Sequence, residues 1–347
     1  MPTNPPFYMR AGRRTVAGIL VAVVFGAVLW WNFSIRSGND ARQDDAFVVA
    51  VSIPPLASIA EQIIQDDGEV VTLLPSGSSP HAYEPQPQDV INAQRANLFV
   101  VVGENFDDWV LPFVPEDAVR LDTASSSGIE RITLPDGDVA VFSEPHSDES
   151  HEDEHAGEGV THSHGLGFDP HVWLSATNGA LIAERYGEVF ADYDPEHADL
   201  YRERATELAS QLRALAGELG EHAEIEQVAF ISMHDGWRTF ADAQDLFVAG
   251  AVEEIPGKVP SPQQLLVLTD AAESGAAQFI ATEPQLSAQV ATTLACDLGL
   301  PTVVLDPLGG EGIEGRETYQ DLLRYNVEAV DEGLRKASQP EFNPCSQ

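Results

Sequence analysis

The length and charge of this sequence limit the classes of protein to which it can belong. Its 347 residues are enough for about two ordinary domains. The formal net charge is −38, and five of the 18 Lys and Arg residues lie before residue 43. Because phosphate recognition needs clustered basic side chains, this balance excludes a nucleic-acid-binding protein.

An uncharged apolar run follows three arginines near the N-terminus. Residues 15–33 contain no charged side chain and end close to two tryptophans. At about 1.5 Å per residue this run just spans a bilayer as a helix, and the preceding arginines predict a cytoplasmic N-terminus. We expect residues 1–44 to form a membrane anchor and linker, with a cleaved signal peptide as the alternative. In both cases the rest of the chain is extracytoplasmic, in the periplasm or on the outer face of the cytoplasmic membrane.

Residues 45–177 alternate between apolar runs and short helical patterns. The predicted strands are AFVVAVSI, EVVTLL and NLFVVVG, and helices are predicted from Pro54 and from Asp89. Continuous runs of β-branched residues are typical of parallel strands that are covered on both faces. This part of the chain is therefore expected to form an N-terminal α/β lobe.

Residues 144–165 form a histidine-rich acidic segment without apolar periodicity, which predicts an exposed loop. Ordering such a loop costs about 1–2 kcal/mol per residue, so any metal sites within it should be weak and exchange quickly. A solvated loop without a function is the alternative. The histidines of this segment are His146, His151, His155, His162 and His164.

Residues 178–224 predict a long helical region that joins this lobe to a second one at residues 225–347. Tyr201, Leu208, Leu212 and Leu215 recur at helical spacing in the joining region. The second lobe contains the predicted strands VAFISM, LFVAGAV, AQFIATE and PTVVLD and ends in a helix. The expected fold class is α/β, with two lobes of mostly parallel sheets joined by one long helix.

Two cysteines, Cys296 and Cys345, lie late in the chain. They lack the CxxC spacing of many metal and redox sites. In an oxidising compartment such a pair predicts a structural disulfide.

Three histidines outside the acidic segment, and one aspartate, occupy positions where ligands bind in α/β proteins. His81 and His234 follow predicted strands, Asp306 ends another, and His171 lies in the segment that leaves the first lobe. Ligands of open α/β sheets bind beyond the carboxyl ends of the strands. Three imidazoles and a carboxylate suit four-coordinate Zn²⁺, and further carboxylates would favour Mn²⁺. Ordinary surface, capping or turn roles are the alternative for each residue.

Five segments of the chain resemble one family of transport proteins, the metal-binding solute-binding proteins of ABC transporters, in the zinc-uptake branch. The segments, in order, are SSPHAYEPQPQD, DPHVWLS, SMHDGWRTFA, PGKVPSPQQL and TVVLDPLG. The resemblance extends from about residue 46 to residue 335. It implies two lobes bridged by a rigid long helix, with the metal at the lobe interface. By position it implies the ligands His81, His171, His234 and Asp306.

The same resemblance implies Zn²⁺ as the transported ligand, with Mn²⁺ as the alternative, and a membrane permease with its cytoplasmic ATPase as partners. The manganese-preferring branch has a carboxylate at the position of His234, and a histidine-rich acidic insertion is a feature of zinc-binding members. A lipid-modified cysteine or a cleaved signal is more usual in the family than the anchor predicted here. We expect a monomeric binding protein and not an enzyme.

Two other functional classes compete with this interpretation. A zinc hydrolase would need an open position for water on the metal and a general base, for which Glu84 and Asp235 are the local candidates. If Asp306 is a ligand, it completes the four-coordinate shell and leaves no position for an activated water. A metal buffer or surface adhesin would act without a permease and an ATPase. The G-x-G-x-x-G string of residues 310–315 does not predict a nucleotide site, because its variable positions are acidic and too few residues follow it.

Overall fold

The computed structural model of this chain describes most of the two predicted lobes. The described residues all belong to one compact unit, Phe47–Gln347. The predicted anchor at residues 15–33 and the histidine-rich segment at 144–165 lie outside them. None of the helices among the described residues combines the length and the apolar character of a membrane span. The described ranges are 47–115, 118–126, 128–131, 169–220, 228–253, 256–258, 260–339 and 343–346.

The first sheet has four parallel strands in the order β2-β1-β3-β4. Its strands are β1 (Val48–Val51), β2 (Glu69–Thr72), β3 (Leu98–Val101) and β4 (Val119–Asp122). The two central strands are buried at every residue, which explains their continuous apolar sequence. The edge strand β4 is not predicted by the sequence pattern, because only Leu121 of its four residues is buried. Hydrogen bonding to β3 places it in the sheet.

Two helices of this lobe begin at prolines. Helix α1 (Pro54–Ile64) has Pro54 in its first turn and is buried along most of its length. Helix α2 (Pro87–Ala93) starts with a reciprocal pair of hydrogen bonds between Gln86 and Asp89. Proline suits the first helical turn because its missing N–H would have no partner there.

The segment between the two sheets contains two helices, whereas the sequence pattern predicts one joining helix. Helix α3 (Ala176–Tyr193) is capped by Ser175 and ends at Asp194, and helix α4 (Ala198–Gly220) follows. Asp194 precedes Pro195, and a residue before proline disfavours helical backbone. The predicted stripe is confirmed as buried on α4, at Tyr201, Leu208, Leu212 and Leu215.

The second sheet repeats the parallel order of the first, as β6-β5-β7-β8. The chain leaves β5 for β6 on one side and returns to β7 on the other, so the direction of winding reverses between β5 and β7. Such a reversal is where open α/β sheets bind ligands. The strands are β5 (Ala229–His234), β6 (Phe247–Glu253), β7 (Ala277–Thr282) and β8 (Thr302–Val304); the helices are α5 (Arg238–Ala243), α6 (Pro262–Glu273), α7 (Gln289–Leu298) and α8 (Tyr319–Ala337).

Helix α8 follows the second sheet but connects it to the first lobe through Tyr319, its first residue. The backbone N–H of Tyr319 donates to Ser58 Oγ on α1 at 3.0 Å, and its hydroxyl donates to the carbonyl of Ser175 at 3.0 Å. Tyr319 is 1% exposed, so these bonds are shielded from water. The tyrosine therefore anchors the start of α8 to α1 and to the beginning of α3.

The two cysteines are bonded to each other, so the predicted disulfide is confirmed. It joins α7 to the short 3₁₀ turn Pro344–Ser346 at the end of the chain.

Candidate metal centre

Three histidines from separate segments meet between the two sheets. His81 lies in the loop after β2, His171 lies just before the 3₁₀ turn Val172–Leu174, and His234 is the last residue of β5. One ring nitrogen from each lies within 4.8 Å of the others. His171 and His234 are 1% and 3% exposed, and His81 is half-buried.

The spacing of these nitrogens suits a single small ion. Nε2 of His171 and Nε2 of His234 are 3.3 Å apart. Zinc–nitrogen bonds of about 2.0–2.1 Å at a tetrahedral angle would separate two ligand nitrogens by about 3.3–3.4 Å. The pair thus has the separation that tetrahedral zinc requires.

Asp169 holds the ring of His171. Its Oδ1 lies 2.7 Å from His171 Nδ1 and accepts the backbone N–H of the same residue at 3.0 Å. Its Oδ2 accepts the backbone N–H and the hydroxyl of Thr239, at 2.9 and 2.8 Å. Burial raises the pKa of Asp169, but His171 and these donors outweigh it and leave the pKa well below its usual range. An ionised carboxylate at Nδ1 keeps the proton there and directs the Nε2 lone pair toward the other histidines.

Glu283 holds His234 in the same way. Its Oε1 lies 2.6 Å from His234 Nδ1 and also accepts the indole N–H of Trp237 at 3.1 Å. Glu283 directly follows β7, so this bond spans the reversal point between β5 and β7. Burial lowers the pKa of His234, but the charge and hydrogen bond of Glu283 offset this and raise the pKa. Two histidines are therefore each oriented by a buried carboxylate.

Aromatic side chains form the walls of a small cavity of about 10 Å³ beside the three histidines. The centre of the Phe106 ring lies 5.2 Å from the ring centres of both His81 and His171. The ring centres of Trp173 and His171 are also 5.2 Å apart. Such a volume admits about one water molecule or one bare ion. The apolar walls lower the local dielectric and favour paired charges inside it.

A tight turn after β3 positions Phe106. Gly103, Glu104 and Asn105 have φ values of 84°, 54° and 63°, a left-handed backbone that is uncommon for non-glycine residues. Asp107 closes the turn by accepting the backbone N–H groups of Val102 and Gly103, at 2.6 and 3.0 Å. Burial raises the pKa of Asp107 to about 6, although these donors act in the opposite direction.

Because Gly236 has no side chain, the imidazoles of His171 and His234 can lie against its backbone. A Cβ atom built on it would lie 2.8 Å from His171 Cε1 and closer still to the ring of His234. Its φ is outside the left-handed region, so the need for glycine here is steric. A side chain at this position would fill the site.

Asp306 lies beside the histidine group without joining it. It follows β8 and is 2% exposed, but its carboxylate is not among the clustered ligand atoms of the described residues. Its Oδ2 accepts from Arg316 Nη1 at 2.9 Å, and its Oδ1 accepts from Gln285 Nε2 at 2.7 Å. The structure thus brings together three of the four predicted ligands.

Sequence reasoning missed the residues that orient and accommodate these histidines. It assigned no role at the site to Asp169, Glu283 or Gly236. A signal was present for Glu283, because an acidic residue directly after a buried strand lies at the same sheet edge as His234. No spacing rule identifies Gly236.

Comparison with known proteins identifies the family. The zinc-uptake complex component A family (ZnuA), described as periplasmic, matches residues 49–333. The chain belongs to this family. It is 29% identical over 307 residues to the high-affinity zinc uptake system protein ZnuA of Bacillus subtilis, covering 87% of this chain and 92% of that protein.

Two further relatives show how far the similarity extends. Zinc-binding lipoprotein AdcA of Streptococcus pneumoniae serotype 4 is 26% identical over 304 residues, which cover 86% of this chain but 58% of AdcA. The chain thus spans little more than half the length of that relative. A crystal structure of ZnuA superposes with a TM-score of 0.66 at 26% identity, covering 83% of this chain and 99% of that one. The α/β fold with two parallel sheets is therefore the fold of this family.

Replacing Gly236 with alanine should abolish tight metal binding without removing a ligand. The added methyl group would displace the rings of His171 and His234. Gly217→Ala on α4 is the matched control, because a Cβ there meets nothing within 4 Å. Zn²⁺ titration against a competing chelator should show near-native affinity for Gly217→Ala and at least about a 100-fold loss for Gly236→Ala, since even outer partners of a metal site contribute 10–100-fold. Native affinity in Gly236→Ala would contradict this geometry.

Glu283→Gln should weaken Zn²⁺ binding by about 10–100-fold, because a neutral amide polarises His234 less and does not impose its tautomer. The protein should stay folded, since the amide oxygen can still accept from Trp237. Glu218→Gln, on the surface of α4 beside Arg324, is the control and should bind normally. Isothermal titration would detect the loss, and equal affinities for the two variants would show that Glu283 does not support the site.

Proposed function

We propose that this protein captures Zn²⁺ outside the cytoplasmic membrane and delivers it to an ABC permease for uptake. The observation that supports this most is the convergence of three imidazoles, in which the Nε2 atoms of His171 and His234 have the separation that tetrahedral zinc requires. Imidazole suits Zn²⁺, whereas Mn²⁺ prefers oxygen ligands. An all-histidine group therefore favours zinc as the ligand.

The proposed ligands are His81, His171 and His234, through the nitrogens that converge beside the cavity. The buried carboxylates of Asp169 and Glu283 keep two of the imidazoles in the ligating tautomer. Since the rings are already oriented, binding requires little rearrangement, and this preorganisation favours high affinity.

Delivery to a permease with its ATPase is supported by the family, which is described as a component of a zinc-uptake complex. The periplasmic description of the family and the lipoprotein name of AdcA support an extracytoplasmic location. Attachment through residues 15–33 and a monomeric state remain proposals from the sequence. Capture and release need only ligand exchange at the metal.

The arrangement of nearby acidic groups favours binding over hydrolysis. Neither Glu84 nor Asp235, the two candidate general bases, is among the described residues that line the cavity. Asp235 is bonded to Arg238 at 2.8 Å, and Glu84 is exposed. A zinc hydrolase would need a base within reach of a metal-bound water.

Single alanine substitutions of His81, His171 and His234 should each weaken Zn²⁺ binding by at least about 100-fold, because a lost ligand costs more than a lost outer partner. His197→Ala is the control, since His197 bonds to Asp194 in the turn between α3 and α4. Competition with a chelator gives the affinities. A histidine whose removal leaves affinity unchanged is not a ligand.

Uptake is tested in cells that lack the native gene and express either the wild-type protein or the His171→Ala variant. Wild-type cells should accumulate zinc and grow in chelator-treated medium, and the variant should not. Equal zinc accumulation would contradict delivery by this site. If the purified protein binds zinc but deletion of the gene changes no uptake, a metal buffer or adhesin is the better description.

The histidine-rich segment 144–165 is proposed to collect zinc weakly for the tight site. Deleting it should abolish weak binding events and leave one tightly bound ion, because His171 and the other proposed ligands lie outside it. A variant with only its five histidines changed to asparagine separates imidazole binding from acidic charge. Loss of tight binding in a folded deletion variant, or a single bound ion at every zinc concentration in the intact protein, would contradict this role.

A further inference from the structure

The loop that carries Asp306 forms part of the cavity wall. Pro307 and Leu308 line the cavity together with the three histidines, and the indole N–H of Trp173 donates to the carbonyl of Pro307 at 2.8 Å. Asp306 is therefore one residue away from the cavity lining. Its carboxylate nonetheless bonds to groups other than the three histidines.

Among the described residues, the Asp306 carboxylate accepts hydrogen bonds from four donors. Oδ1 accepts from Gln285 Nε2 at 2.7 Å and from the backbone N–H groups of Leu308 and Gly309 at 3.0 and 3.1 Å. Oδ2 accepts from Arg316 Nη1 at 2.9 Å. Charge-assisted bonds of this kind are among the strongest in proteins. A metal that bound this carboxylate would compete with these donors for its lone pairs.

Asp306 is also held through its backbone. Asn326 on α8 accepts the N–H of Asp306 with Oδ1 and donates Nδ2 to its carbonyl, both at 2.8 Å. Asn326 is fully buried. The position of the whole residue is therefore set from α8.

Arg316 is itself fixed in place. Its guanidinium carbon lies 4.4 Å from the centre of the Tyr325 ring, and its side chain is 19% exposed. Stacking on an aromatic ring and pairing with a carboxylate are the two interactions that suit a planar guanidinium. Moving Asp306 away would leave this arginine without its counter-charge.

We propose that Arg316 determines the metal preference of the site by keeping the Asp306 carboxylate out of the ligand shell. With Asp306 bound to Arg316, the protein offers the ion three imidazoles, which favours Zn²⁺. With Asp306 released, a carboxylate beside the cavity would join them and favour harder ions such as Mn²⁺. This inference rests on the proposed function, because it assigns the selectivity of the same site.

Three variants test the proposal: Asp306→Asn, Arg316→Met, and the two combined. Chelator competition gives the Zn²⁺/Mn²⁺ affinity ratio, and the visible absorption of bound Co²⁺ reports a change of ligand set. Asp306→Asn alone should leave the spectrum unchanged and the ratio within about threefold of the wild type. Arg316→Met should change the spectrum and lower the ratio at least tenfold. Combining it with Asp306→Asn should restore both.

Arg204→Met is the matched control, because the Arg204 side chain is 22% exposed, close to the 19% of Arg316, and pairs with Asp67 away from His81, His171 and His234. It should alter neither the spectrum nor the ratio. A changed Co²⁺ spectrum in Asp306→Asn would overturn the proposal, since Asp306 would then be a ligand in the native protein. An unchanged ratio in folded Arg316→Met would also overturn it.

A crystal structure of the zinc-loaded wild-type protein decides the question if the arginine variant does not fold. Asp306 bonded to Arg316 in that structure supports the proposal, and Asp306 bonded to the metal overturns it. Failure of the wild-type protein to bind Zn²⁺ would instead contradict the proposed function. The two failures are therefore distinguishable.

Discussion

The site depends on two hydrogen bonds between buried carboxylates and imidazoles. Asp169 with His171, and Glu283 with His234, fix which ring nitrogen carries the proton and which faces the neighbouring histidine. Without these partners each imidazole could rotate or change tautomer, and the 3.3 Å separation of the two Nε2 atoms would not be maintained. Thr239 in turn donates a hydrogen bond to Asp169, and Trp237 donates one to Glu283.

These bonds also tie the site to the two parallel sheets. Glu283 and His234 come from the ends of adjacent strands, so the sheet itself sets the distance between them. Asp169 and His171 precede α3, but Asp169 accepts from Thr239 on α5 of the second lobe. A single carboxylate thus orients a histidine and connects two parts of the chain. The orientation of His171 and the packing of the two lobes therefore depend on the same carboxylate.

Asp306 and Glu283 show how neighbours assign different roles to similar groups. Both are nearly fully buried and both follow strands of the second sheet. Glu283 contacts a histidine and an indole, whereas Asp306 contacts an arginine, an amide and two backbone N–H groups. A buried carboxylate needs donors, and the nearest donors decide which task it performs.

The sequence by itself determined the α/β class, most of the strands, the disulfide and the positions of the three clustered histidines. It did so because hydrophobic runs mark buried strands, and parallel strands bring their carboxyl ends to one edge. It did not indicate β4, which is mostly exposed, or the break at Asp194 that divides the joining segment into α3 and α4.

Only the tertiary structure decided which groups surround those histidines. Arg316 is ten residues from Asp306 and Glu283 is 49 residues from His234, so no local pattern pairs them. Gly236 is required because two rings from distant segments approach it. Hydrogen-bond partners and steric clearance depend on the path of the folded chain, whereas the edge of a sheet on which a residue lies follows from strand direction alone.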